Sequence, residues 1–466
     1  MTFTRTSPAR GTIYGMRRTN LAWRAAVAAG IAAVFALTAC VGTALPGPTA
    51  VPLRPTESAS FETDDLTALM NQLTDAGAPA VTIEVRDGDE VWTSAVGVQS
   101  SNSELPASAS NTSRVASVTK PMVATMILQL VDEGELTLDT DVQDVLPGVV
   151  GGREVTVEQL LQHTSGMPDY VEALALGDPT QILNVLDNGR TQQELVDLAL
   201  SQQWRFDPGT SWEYSNSNYV VLTMLLEEIT GNSLDEELAT RITTPLGLVN
   251  TSIPDGASMP SNSLHGYVVE SGLSIDVTKQ DASLWNGAGA VVSTPADVNT
   301  FMRALLTGQV LPPQLVGYML RLNDEGYGLG IQAREDKCPA SDATMINSEQ
   351  VDPTIAPNAT ATPTLTEGVA AAPSPSIPAS WPDAPDDGSG SVIEDDLGTI
   401  GVQIGEPGMV YGHLGSGLGY RALTLSSPDG LRQVTVFWTA SEINQDNDER
   451  VHLAYDIADA ALARDC

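Results

Sequence analysis

An α/β fold of the α+β type is predicted: an antiparallel sheet of N- and C-terminal strands, flanked by helices, with an inserted mostly helical subdomain. Three observations lead there. Segments of strand pattern stand near both ends of the ordered sequence, and a long helical and loop-rich stretch, about 140–310, separates them. The last strand-like segments are spaced as an antiparallel meander and lead into a final helix. Strands at both ends with helices between them imply one sheet drawn from distant parts of the chain.

The elements follow in order. Leu66, Leu69, Met70 and Leu73 recur at helical spacing and predict a first helix. "AVTIEVRDGDEVWTSAVGV" alternates apolar and polar residues around Asp-Gly-Asp, a hairpin signal. After Ser117 a helix carries Val123, Met126, Ile127, Leu130 and Val131 on one face, and Gly134 stops it. Helical patterns continue in "VEQLLQHTSGMPDY", "QELVDLAL", "NYVVLTMLLEEITGNS" and "PADVNTFMRALLTG". Strands return in "GYGLGIQARE", "GMVYGHLG", "YRALTLSS" and "RQVTVFWTA", the last three as the meander, and "ERVHLAYDIADAALARD" closes the chain as a helix.

Two stretches stand outside this plan. Residues 41–60 are rich in Pro, Ala, Thr and Ser and are expected to act as a flexible tether. Pro339–Pro407 holds ten prolines and eleven acids with no Lys or Arg. That composition buries too little apolar surface to offset its ordering entropy, so it is expected to be a disordered acidic insertion between two strands, a buried lid being the rival reading.

The chain has 466 residues, enough for a large core, with 22 basic against 59 acidic residues. No basic stripe appears, which argues against a nucleic-acid partner. The first forty residues differ: five arginines, no acid, the apolar run "AAVAAGIAAVFA", then "LTAC" ending at Cys40. A basic start, an apolar stretch and a small-residue site describe an export signal over residues 1–39. "LTAC" resembles a bacterial lipobox, which implies acylation of Cys40 and anchoring to the extracytoplasmic side of a membrane. An ordinary signal or a simple anchor is the alternative; Arg17-Arg18 leaves twin-arginine export open, and Met16 is a second possible start. Cys338 and Cys466 then remain, and an even pair in an exported chain reads as a disulfide. Two cysteines without paired histidines argue against zinc, and nothing calls for a cofactor.

The chemistry is read from three stretches. Ser117 and Lys120, one of only three lysines, stand one helical turn apart at the mouth of an apolar helix. A serine hydroxyl needs a base, and lysine is one only when neutral; moving it from about 10.4 to about 7 needs roughly three units, within reach of burial. Read singly, the pair is also ordinary helix-capping grammar. In "FDPGTSWEYSNSNY", Tyr214 and Asn216 form a turn before a helix: a phenol to shuttle protons and an amide to hold a substrate, or simply a cap. In "YGHLGSGLGYRA", His413 lies on a predicted strand with Gly415 and Ser416 after it, where the backbone can approach a ligand.

In the order Ser-x-x-Lys, Tyr-x-Asn, His-x-Gly, these stretches resemble the serine hydrolase family of class C β-lactamases and D-alanyl-D-alanine carboxypeptidases, the penicillin-recognising fold. "LLQHTSGMPDY" and "GAGAVVSTPADV" support the likeness, which covers about residues 61–337 and 408–465 of a domain spanning 61–466. The resemblance implies Ser117 as acylated nucleophile, Lys120 as its activator and Tyr214 as proton relay. It implies Asn216 as the substrate amide's partner, His413 as an electrostatic influence on Tyr214, and the Ser117 and Ser416 N–H groups as oxyanion donors. His163 is expected to brace a loop. Two departures stand out: Leu414 occupies the position where the family usually has a carboxylate-binding hydroxyl, and His413 replaces a lysine. Both weaken the case for a β-lactam or peptide carboxylate and leave acyl transfer intact. The expected substrate is a small acyl ester, amide or peptide.

Overall fold

The computed structural model describes residues 63–174, 176, 182–270, 273–338, 393–394, 400–401, 405–406, 408–442 and 448–463. Most of the predicted segments form where their patterns place them; of "VEQLLQHTSGMPDY" only Val157–Leu161 and the final Tyr170 are helical, and of "GYGLGIQARE" only Gln332–Glu335 is strand. Helix α1 (Asp64–Asp75) buries Leu66, Met70 and Leu73. Strands β1 (Ala80–Asp87) and β2 (Glu90–Gly97) form the hairpin. The helix after Ser117 is α2 (Thr119–Glu133), closed by left-handed Gly134. Helix α3 (Asn216–Thr230) follows the Tyr214 turn, and α4 (Pro295–Leu306) follows a Thr294 cap. Strands β3 (Gln332–Glu335), β4 (Met409–Gly417), β5 (Tyr420–Ser426) and β6 (Arg432–Thr439) precede α5 (Glu449–Leu462).

Six of these strands form one sheet in the order β2-β1-β6-β5-β4-β3. The central pairing joins the two ends of the fold: β1 lies antiparallel to β6, with Ile83 opposite Val436 and Val81 opposite Trp438. Alternation sorts the side chains between two cores. Val81, Ile83, Val85, Val434, Val436 and Trp438 face α1 and α5. Their neighbours point the other way, toward α4, where Asn299 binds Glu84, Gln433 and Thr435 at 2.7–3.1 Å.

The second core lies among the helices. Helix α2 sits inside it and is buried on nearly every side, including Lys120. A helix apolar all round belongs to an interior, and each Leu or Val side chain it buries contributes about 1.5–3 kcal/mol. Short strands Tyr267–Glu270, Leu273–Asp276 and Ser441–Glu442 form a second small sheet that the sequence pattern did not announce.

The export signal, the tether, Cys40 and Cys466 lie outside the described residues. So does the acidic insertion, apart from residues 405–406 and an antiparallel pairing of Ile393–Glu394 with Ile400–Gly401. At its borders β3 and β4 are already paired, Glu335 with Met409, and Asp336 N–H donates to the Gly408 carbonyl at 2.8 Å. Cys338 is buried.

Candidate active site

Ser117 occupies a 3₁₀ turn, Ala116–Val118, that leads straight into α2. Ala116 there has φ 47°, a left-handed conformation that an alanine adopts only under constraint from its surroundings. The constraint is visible in β4. A Cβ on Gly415 would lie 2.1 Å from the Val115 carbonyl oxygen, so only glycine lets the strand lie against the Ser117 turn. Gly415 thus brings the strand close to the backbone just before Ser117.

Lys120 Nζ lies 3.1 Å from Ser117 Oγ, and Tyr214 Oη donates to the same oxygen at 2.9 Å. Sequence positions 97 apart thus meet on one atom. Lys120 also reaches Asn216 Oδ1 at 2.8 Å and the Ala288 carbonyl at 2.8 Å. The carbonyl can only accept. Asn216 Oδ1 is oriented toward the amine because Nδ2 donates to Asp169 Oδ2 at 2.7 Å. When the amine is neutral, its two N–H groups serve these acceptors and its lone pair meets the Ser117 hydroxyl. The same contacts fix Asn216: its amide oxygen belongs to Lys120, and only the second Nδ2 hydrogen is left for a substrate.

Burial pushes the Lys120 amine down to about 7, with Asp169 opposing. Burial also raises the Tyr214 phenol far above its usual range, the hydrogen bond to Ser117 acting the other way. The resting pair is therefore an amine able to accept a proton and a phenol that keeps its own.

Beneath Tyr214 lies a network that the motifs did not reveal. His413 Nδ1 lies 2.8 Å from the Leu414 carbonyl, so Nδ1 carries the proton and Nε2 accepts from Tyr327 Oη at 3.1 Å. Tyr327 Oη then accepts from His163 Nε2 at 3.2 Å, which leaves His163 Nδ1 to accept from Ser215 N at 3.3 Å and Asn218 Nδ2 at 3.1 Å. One tautomer per histidine satisfies every contact. Burial, with Lys120 nearby, pushes His413 down to about 3, and His163 well below its usual value. His163 braces its loop as expected. His413, expected to act on Tyr214 electrostatically, lies 6.4 Å ring to ring from it and hydrogen-bonds to Tyr327. The Lys120 amine is nearer, 4.8 Å from the Tyr214 ring centre.

Asp169 and Tyr327 carried no signal of their own in the sequence. Asp169 Oδ1 accepts from Val171 N at 2.9 Å, while Oδ2 takes Asn216 N at 3.1 Å. It thereby serves the N-terminus of α3, whose Ser215 makes no side-chain cap.

Two cavities open on Ser117. The larger, about 630 Å³, is lined by Tyr214, Asn216, His413 and Ser416 with apolar walls from Leu174, Trp212, Leu414 and Leu418. The smaller, about 50 Å³, lies toward Arg114, Gln280, Trp285 and Tyr420.

A serine hydroxyl held between a buried amine and a phenol is an arrangement that can activate the serine as a nucleophile. The chain belongs to the Beta-lactamase family, whose model matches residues 66–461. Members of that family are serine hydrolases, amidases and carboxypeptidases among them. Penicillin-binding protein 4 of Amycolatopsis lactamdurans is 35% identical over 212 residues, 42% of this chain and 51% of that protein. The chain likewise spans 64% and 50% of two Bacillus subtilis penicillin-binding proteins. A D-stereospecific amidohydrolase from Streptomyces sp. superposes with TM-score 0.61 at 27% identity, over 84% of this chain and 98% of that one. The D-amino acid amidase of Ochrobactrum anthropi SV3 shares the fold, TM-score 0.62 at 20% identity, over 85% of this chain and 98% of that one.

Proposed function

We propose that this protein is an exported, lipid-anchored serine hydrolase that cleaves a small amide, peptide or ester through an acyl-enzyme on Ser117. The reading covers D-alanyl-D-alanine carboxypeptidase-like and esterase or amidase activity. The observation behind it is the convergence of Lys120 Nζ at 3.1 Å and Tyr214 Oη at 2.9 Å on Ser117 Oγ.

In this mechanism Ser117 Oγ bonds to the substrate carbonyl carbon as its proton passes to neutral Lys120. The N–H groups of Ser117 and Ser416, residues that line the larger cavity, hold the oxyanion. The carbon–nitrogen or carbon–oxygen bond then breaks. Tyr214 gives its phenol proton to the departing atom and is reprotonated from the Lys120 ammonium. Water attacks the acyl-enzyme, loses a proton along the same route and releases the acid, and Ser117 recovers its hydrogen. Asn216 keeps Lys120 in place and offers its remaining N–H to the substrate. Leu414 gives the cavity wall no donor, which favours neutral acyl groups there over efficient β-lactam hydrolysis.

Intact-mass measurement after exposure to a fluorophosphonate, and separately to a penicillin, tests the nucleophile. The expected result is a single fluorophosphonate adduct that Ser117→Ala removes; a folded protein that takes up neither reagent is a binding protein and refutes the reading. Anchoring is tested in cells, where Cys40→Ala should move the protein from the membrane to the soluble fraction. Pairing of Cys338 with Cys466 belongs to the same proposal, and non-reducing peptide mapping should find the two in one crosslinked peptide.

A further inference from the structure

Tyr214 owes its position to no regular element. Residues 211–215 lie in neither helix nor strand, and Ser215, which precedes α3, makes no side-chain cap. The phenol nevertheless reaches Ser117 Oγ at 2.9 Å. Proton transfer depends on that placement, because a misplacement of about 1 Å in a reacting group can cost about 10²-fold in rate.

His163 grips the turn on both sides of Tyr214. Its backbone carbonyl accepts from Glu213 N at 3.2 Å, and its Nδ1 accepts from Ser215 N at 3.3 Å. The N–H groups of the residues before and after the tyrosine are thus tied to one residue. The imidazole also lies against the phenol ring, 4.3 Å between centroids and tilted by 38°. It is itself held in place. Ser165 Oγ donates to Asn218 Oδ1 at 2.7 Å, which turns Asn218 Nδ2 toward His163 Nδ1 at 3.1 Å, and His163 Nε2 meets Tyr327 Oη at 3.2 Å. His163, Ser165 and Asn218 are fully buried. Burial, with Lys120 and His413 acting in the same direction, pushes the His163 pKa well below its usual value, which leaves Nδ1 an acceptor. The His163 backbone has φ 63°, a left-handed conformation that persists in a residue other than glycine where its surroundings over-determine it.

We propose that His163 is a positioning residue for proton transfer: beyond bracing its own loop, it holds the Tyr214 phenol on Ser117 through Nδ1 and its carbonyl. The inference rests on the serine hydrolase reading above and adds to it a residue outside the reacting atoms.

The test compares phenyl acetate with p-nitrophenyl acetate on the full chain. The two esters share an acyl group and differ in how basic the leaving oxygen is, so phenyl acetate depends more on a proton from Tyr214. kcat/KM reports acylation for each. His163→Gln keeps a donor for Tyr327 and loses the acceptor for Ser215 N, so it should widen the wild-type gap between the esters by about tenfold. His163→Asn carries an amide oxygen at the place of Nδ1 and should return the gap most of the way to wild type. In a Tyr214→Phe background His163→Gln should widen it no further, because the group it positions is gone. Three results overturn the proposal: an equal loss on both esters, a His163→Asn variant no closer to wild type than His163→Gln, or the same widening without the phenol. A further readout needs neither variant nor turnover. NMR of nitrogen-labelled histidines in the wild-type protein should find the His163 proton on Nε2, and a proton on Nδ1 refutes the clamp. Fluorophosphonate labelling separates the two ideas. A labelled protein whose gap His163→Gln leaves unchanged loses the role of His163 and keeps the hydrolase, whereas an unlabelled folded protein loses both.

Discussion

At the scale of single residues, the site is governed by which form each group takes at rest. Lys120 must be neutral to accept the Ser117 proton, and its pKa is pushed down to about 7. kcat/KM should therefore rise with pH through a limb centred near 7, since protonation below that point removes the base; a flat profile from pH 5 to 9 in an ester assay refutes Lys120 as base. Asp169 tests the same assignment from outside the reacting atoms. Its negative charge holds the Lys120 pKa up, so Asp169→Asn should move the limb to lower pH while lowering kcat. A purely structural role would lower activity without moving the limb. Tyr214 remains a phenol through the neutral range, so Tyr214→Phe removes a proton donor and should reduce kcat by about 10²–10⁴-fold in single-turnover measurements.

At the scale of elements, the motifs were legible where chemistry depends on neighbours in sequence. Ser117 and Lys120 share a turn, and a turn is set by local backbone geometry. The Tyr214 turn was legible for the same reason, as was the meander in β4–β6. The Gly415 contact was not, because it depends on a strand and a turn some three hundred positions apart. Gly415→Ala places a methyl group 2.1 Å from the Val115 carbonyl oxygen. It should cost about 1–3 kcal/mol in chemical denaturation, as overpacking does, and displace Ser117 from Tyr214. A variant with wild-type stability and rate would show that β4 does not set the nucleophile turn.

For the whole molecule, the decisive contact is the pairing of β1 with β6, which joins the beginning and end of the fold in the middle of the sheet. The acidic insertion leaves this arrangement at one point only, between β3 and β4, whose borders are already hydrogen-bonded at Asp336 and Gly408. Replacing residues 343–403 by a four-residue Gly-Ser turn should therefore leave thermal unfolding and ester hydrolysis close to wild type. A large loss of either would give the insertion a structural or catalytic part.

Taken alone, the sequence determined the alternation of strands and helices, the location of the Ser-x-x-Lys and Tyr-x-Asn turns, and the family they resemble. Each depends on periodicity or on residues a few positions apart. Tertiary structure alone decided that Asp169 orients Asn216, that Tyr327 links His163 and His413, and that Arg114 is buried with Nε and Nη1 unpartnered among the described residues. Hydrogen-bond partnership and desolvation are properties of groups brought together by folding, and no local pattern encodes them.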